Sequence, residues 1–253
     1  MKIQQNYSYE IMEVCLLAGK IMLISGAETY RVEDTMMRIA ASYGVKDSHS
    51  YVTPTGIIFS IESDQPTKTK LIRIMERTTD LDKVTNVNAI SRKISNGELN
   101  VDEAYDLLKE IEDAKSTYSL ALQVIAAAIA SGCFLIMFQG QWSDFFPAVL
   151  AGGLGFMAVI YFHRLVPIKF FSEFLASFLI GLLAYLFVMT GLGTEMDKVI
   201  IGSVMPLVPG LLLTNAVRDL MAGHLISGLS KGAEAFLTAF AIGSGIAVVF
   251  LLF

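Results

Sequence analysis

Cysteine is nearly missing from this 253-residue chain: Cys15 and Cys133 are the whole supply. One lies in an apolar helical stretch and the other in the first long apolar run, which argues against a disulfide framework. Histidine is scarce too, with three in the chain; His49 and His163 lack partners at metal-ligand spacing and no Cys/His cluster exists, so neither a metal nor a cofactor is expected. No glycine loop runs into a following lysine, which argues against ATP-driven transport by this chain. Residues 1–115 contain no nucleophile elbow and no spaced catalytic pair, so an enzyme is not expected. A net charge of -5 with no basic patch excludes a nucleic-acid partner. Charge itself then runs out: of 43 charged side chains, 32 fall in residues 1–115 and only 11 in the 138 that follow.

What is present instead is apolar length. The chain is 54% hydrophobic with a mean hydropathy of +0.57, well above a soluble domain. Five runs of 18 to 21 residues, Tyr118–Phe138, Phe145–Phe162, Phe174–Leu192, Val199–Val217 and Ala235–Phe253, approach the roughly 20 residues that cross hydrocarbon as a helix. The predicted fold class is therefore a membrane all-α domain of five transmembrane helices (116–253) preceded by a cytoplasmic α+β domain (1–115). Met1–Glu10 lacks the apolar core and cleavage site of a signal peptide, which keeps the first domain inside. Arg164 and Lys169 in one loop, with Arg218 and Lys231 after the fourth run, orient the amino terminus inside and the carboxyl terminus outside the cytoplasmic membrane. An odd span count cannot form two equal inverted repeats, so a partner chain or several copies are expected, as a homo- or hetero-oligomer in the bilayer.

In the charged half, Ile11, Val14, Cys15, Ala18 and Met22 recur at helical intervals over residues 9–25. Ser25-Gly-Ala-Glu28 has capping-box spacing ahead of a second helix reaching about Tyr43, with Asp34 and Arg38 paired four apart. Ser50–Ser60 reads as two strands about the Thr53-Pro-Thr-Gly56 turn, Thr69–Arg77 as a third, and residues 80–95 and 101–115 as helices. Gly26, Glu28, Arg31 and Glu33 make a polar motif at the turn: a gating or regulatory surface, or a capped, solvated helix start.

The fourth apolar run is broken. Pro206 and Pro209 each remove a backbone donor, and with Gly210 they force a kink or an opening in the helix. Freed carbonyls in hydrocarbon persist only where protein or a watered cavity satisfies them. One turn on, Asn215, Arg218 and Asp219 crowd one side, and such groups are expensive in a bilayer. The functional reading makes Pro206, Pro209, Gly210, Asn215, Arg218 and Asp219 a substrate site, with Arg218 meeting a carboxylate and Asp219 or His224 carrying a proton. The alternative makes Arg218 and Asp219 an interfacial pair that orients the helix. Glu173 and Glu234, at the starts of the third and fifth spans, read as interface residues.

These residues are familiar as a set. Ser25-Gly-Ala-Glu-Thr-Tyr-Arg-Val-Glu-Asp34, Thr53-Pro-Thr-Gly56, Val208-Pro-Gly210, Asn215-Ala216 and Asp219 through Gly223-His224 closely resemble the threonine/serine exporter family. The likeness covers nearly the whole chain and points to the larger subunit of its split form, which implies a smaller membrane subunit as partner. It implies a secondary transporter exporting an amino acid (threonine or serine) or a dicarboxylate such as succinate. The competing function is a membrane-anchored enzyme or sensor whose activity resides in the cytoplasmic domain.

Overall fold

The computed structural model describes residues 2–62, 67–114, 118–166 and 168–253. They form two compact units: the first takes the described residues up to 114 and Leu211–Gly232, the second residues 118–210 and 233–253. The expected domain junction at 115–116 reaches into residues outside that description.

The first unit is built around α1 (Lys2–Ile24), whose Ile11, Met12, Val14, Cys15, Leu16, Ala18 and Met22 are all buried. α2 (Thr29–Ser42), α3 (Leu81–Ser95) and α4 (Val101–Asp113) pack around it. Three antiparallel strands, β1 (Asp47–Thr53), β2 (Gly56–Glu62) and β3 (Lys68–Arg73), lie in the order β1-β2-β3. Ile57, Phe59 and Ile61 of the central strand point into the core while Ile58 and Ser60 point away, the period of two that a one-sided sheet requires. Burying Phe59 completely contributes about 1.5–3 kcal/mol. Asp80 caps α3, and Asn100 and Glu103 close a reciprocal box on α4.

Two expectations are corrected here. The charged half is not a large α+β domain, because helices make most of it and the sheet is three strands of six or seven residues. The sheet packs through β2 against α1 and through β1 against α2. The capping box at Ser25–Glu28 does not form either: Glu28 is the N-cap of α2 but makes no side-chain cap hydrogen bond. Gly26, at φ 89°, instead ends α1 in a tight turn, with Gly26 N–H donating to Leu23 O and Ala27 N–H to Met22 O.

The second unit contains α5 (Leu120–Met137), α6 (Phe145–Leu165), α7 (Lys169–Met189), α8 (Met196–Val204) and the later part of α10 (Leu225–Leu252). Small residues let these helices approach: a Cβ on Gly155 would meet Ile180 at 2.4 Å, and one on Gly202 would meet the Ser131 carbonyl at 2.9 Å. Asp144, fully buried before α6, accepts from Thr194 N–H (2.6 Å), Thr194 Oγ1 (2.8 Å) and Glu195 N–H (3.0 Å), so it fastens the α5–α6 loop to the start of α8.

Among the described residues, four helices are long and apolar enough to cross a membrane: α5, α6 with its preceding turn, α7 and α10. The five expected spans are reached only if α8 and α9 (Gly210–Met221) count as one. Between them the chain makes a single 3-10 turn at Met205–Leu207 and an extended residue at Val208, then re-enters helix at Gly210. Pro206 and Pro209 supply the cause, since neither offers an amide hydrogen to the preceding turn.

Candidate functional site

Asp219 sits on α9 with no exposed surface, inside the first unit. Its Oδ1 accepts from the Thr29 amide at 2.9 Å, and its Oδ2 accepts from Thr29 Oγ1 at 2.9 Å and Lys231 Nζ at 2.7 Å. Thr29 is the first residue of α2, so its amide is one of the donors that a helix start leaves without an internal partner. A carboxylate 190 residues away fills the role that Ser25 was expected to play, and a negative charge there is favoured by the helix dipole.

Lys231, on α10, is 3% exposed. Besides Asp219, its ammonium donates to Thr29 Oγ1 at 3.2 Å and Ala27 O at 3.4 Å, which uses all three hydrogens. The Thr29 hydroxyl gives its proton to Asp219, so Ser227 Oγ, at 2.5 Å, is the donor in their mutual bond. A buried charge pair is tolerated when its remaining donors and acceptors are satisfied in this way.

Further polar contacts in the same unit join α9 to the start of α2. Asn215, 5% exposed, donates from Nδ2 to Gly26 O at 2.8 Å, a carbonyl that the glycine turn leaves free of α1. Arg218 meets Glu28 at 2.5 Å, and Arg31 reaches the other Glu28 oxygen at 3.4 Å. Burial pushes the Glu28 carboxyl up, but its backbone hydrogen bond, Arg218 and Arg31 outweigh that and hold it below the usual range. Glu33 accepts from Val52 N–H at 2.8 Å and lies 3.7 Å from His224 Nδ1. Burial, helped by the charge of Asp219, raises the Glu33 carboxyl against the opposing pull of Val52 and His224. His224 itself follows Gly223, whose φ of 88° ends α9 as Gly26 ends α1.

The structure thus joins Gly26, Glu28, Arg31 and Glu33 to Asn215, Arg218, Asp219 and His224, while Pro206, Pro209 and Gly210 form the break that precedes α9. Arg218 and Asp219 do not pair with each other; each takes a partner from elsewhere in the unit. Thr29, Ser227 and Lys231 are the members that sequence reasoning missed. Lys231 carried the available signal, being a lone cation in a long apolar helix that needs a buried acid to stay there. Among the described residues no group of three or more His, Cys, Asp or Glu side chains is placed to hold a metal ion.

Residues 13–253 match the family described as "Putative threonine/serine exporter". The chain is 24% identical over 243 residues to a probable threonine/serine exporter of Mycobacterium tuberculosis, covering 94% of this chain and 45% of that protein. It is 24% identical over 253 residues to a probable succinate transporter subunit of Klebsiella aerogenes, covering 97% and 95% respectively. With a threonine/serine exporter of Corynebacterium glutamicum it shares 21% over 244 residues, 93% of this chain and 50% of the other. It therefore spans about half the length of the two exporters and nearly all of the subunit. No solved structure matches it. With a family match over nearly its whole length and several membrane-length apolar helices, this multi-pass membrane protein belongs to the threonine/serine exporter family, whose members are transporters and not enzymes.

Proposed function

We propose that this chain is one subunit of a secondary transporter that exports small carboxylate-bearing metabolites, either threonine and serine or a dicarboxylate such as succinate. The observation that carries the reading is the buried Lys231–Asp219 pair, which ties the two motif blocks of the sequence together through Thr29. An ammonium held by an internal carboxylate can be handed to a substrate carboxylate, because one acid replaces another at the same donors. Arg218, half-exposed and held by Glu28, offers a second such cation. Asn215, Arg218 and Asp219 are the proposed substrate contacts within the first unit. Proton coupling in this reading acts on the Asp219–Lys231 and His224–Glu33 pairs, since a change of protonation in either frees its partner.

A smaller membrane subunit completes the transporter in this proposal. Its support is the near full-length match to a protein named as a subunit, set beside half-length matches to longer exporters. The charged half and the α6–α7 loop face the cytoplasm, as the loop charges direct. Counterflow of labelled threonine, serine and succinate in vesicles tests the reading. Uptake of at least one of them by the chain with its partner subunit, and little by the chain alone, is the expected result. No counterflow of any of the three with the partner present would overturn it. Single-cysteine labelling at position 141 in intact cells tests the orientation, and labelling there only after permeabilisation would reverse it.

A further inference from the structure

We propose that Glu173 is a proton-binding carboxyl embedded in the second unit, separate from the cluster around Asp219. It lies in the second turn of α7 and is 7% exposed. Its Oε2 is buried and, among the described residues, no group other than the neighbouring Thr238 hydroxyl is placed to bond it. Beside it on α10 stands Thr238, 1% exposed, whose buried hydroxyl is set against this carboxyl and has no other hydrogen-bond partner among the described residues. These two buried polar groups meet where α7 and α10 approach closely: a Cβ on Gly245 would come within 2.4 Å of the Phe174 carbonyl and 2.2 Å of Ser177 Oγ. Such groups are costly in an apolar interior unless something satisfies them.

The nearby charges do not supply that satisfaction. Lys169, one turn earlier on α7, is held at 2.9 Å by Glu234 of α10, and His163 faces the site from the end of α6. The charged residues of α8, Asp197 and Lys198, belong to its first turn, where Lys198 donates to Phe138 O at the opposite end of this unit. Asp219 makes the contrast, with three donors on its two oxygens. The ligand that neutralises a carboxyl in so confined a place is a proton, and the Thr238 hydroxyl can accept from the acid or donate to the carboxylate as that proton comes and goes. This inference depends on α7 crossing the membrane and not on which metabolite is exported.

Dicyclohexylcarbodiimide, which modifies apolar carboxyl groups in their protonated form, is the probe. The full chain in lipid nanodiscs at about pH 7, well above the ordinary glutamate value of about 4.3, is treated and its peptides are read by mass spectrometry. Glu173 is expected to be modified at least about ten-fold more than the ion-paired Glu234, a ratio equivalent to about 1.4 kcal/mol, with modification falling as the reaction pH rises and rising in Thr238→Val. Glu173→Gln should remove the signal from that peptide. Glu173 left unmodified, or modified no more than Glu234, overturns the proposal. The wild-type measurement decides this even where a variant fails to fold, and it needs no transport.

Discussion

Lys231→Met would leave the Asp219 carboxylate at full burial without the one cation paired with it among the described residues. Removing one member of a buried ion pair costs about 3–5 kcal/mol. Two donors from Thr29 remain on Asp219, so the loss belongs at the low end, about 3 kcal/mol. For a chain of this length 1 kcal/mol moves the melting temperature by about 2–4 °C, which puts the expected drop at about 6–12 °C. Intrinsic-fluorescence melting of the purified chain in detergent measures it. Asp219→Leu alone should cost a similar amount, since it strands the ammonium. The double variant should recover at least about 2 kcal/mol relative to the sum, because neither charge is then left unpaired. Single losses below about 1 kcal/mol, or strictly additive losses, would refute the claim that these side chains depend on each other.

Two further outcomes follow from the same contacts. The folded Glu28 carboxyl lies below its ordinary range, so its contribution is present above about pH 4.3 and is lost as pH falls through that value toward the folded one. Melting curves of Glu28→Gln should accordingly be lower than wild type at neutral pH and flatter on acidification; an unchanged acid slope would count against the Arg218 and Arg31 contacts. Gly202→Val should destabilise the second unit by about 1–3 kcal/mol, because its Cβ meets backbone atoms of Ser131 and Leu135 at 2.9–3.0 Å, and a neutral melting temperature would contradict that packing.

Local features of this fold were legible because local chemistry makes them. The apolar period placed α1, the glycines at 26 and 44 ended helices, and unbroken apolar runs marked α5, α6 and α7. The polar residues of α9 were visible as misfits in an apolar segment. Their partners were not, since a contact such as Thr29 to Asp219 joins positions 190 residues apart and leaves no period in either stretch. The same blindness hid the start of α10. Lys231 and Glu234 looked like a span boundary, yet the helix runs through both, one paired with Asp219 and the other with Lys169. The sheet was overweighted for a related reason: β-branched runs announce strands but not how many neighbours those strands will find.

The claim that the Asp219–Lys231 pair serves transport is tested most directly by counterflow in vesicles holding the partner subunit and either Asp219→Asn or Asp34→Asn. Asp34 is a mostly exposed acid on α2 that pairs with Arg38 at 3.6 Å, so its loss controls for charge without touching the cluster. Asp219→Asn, at matched protein levels in the membrane, is predicted to abolish counterflow while Asp34→Asn retains it. Equal and mild effects of the two substitutions would contradict the account and leave the buried pair as a structural fastening alone.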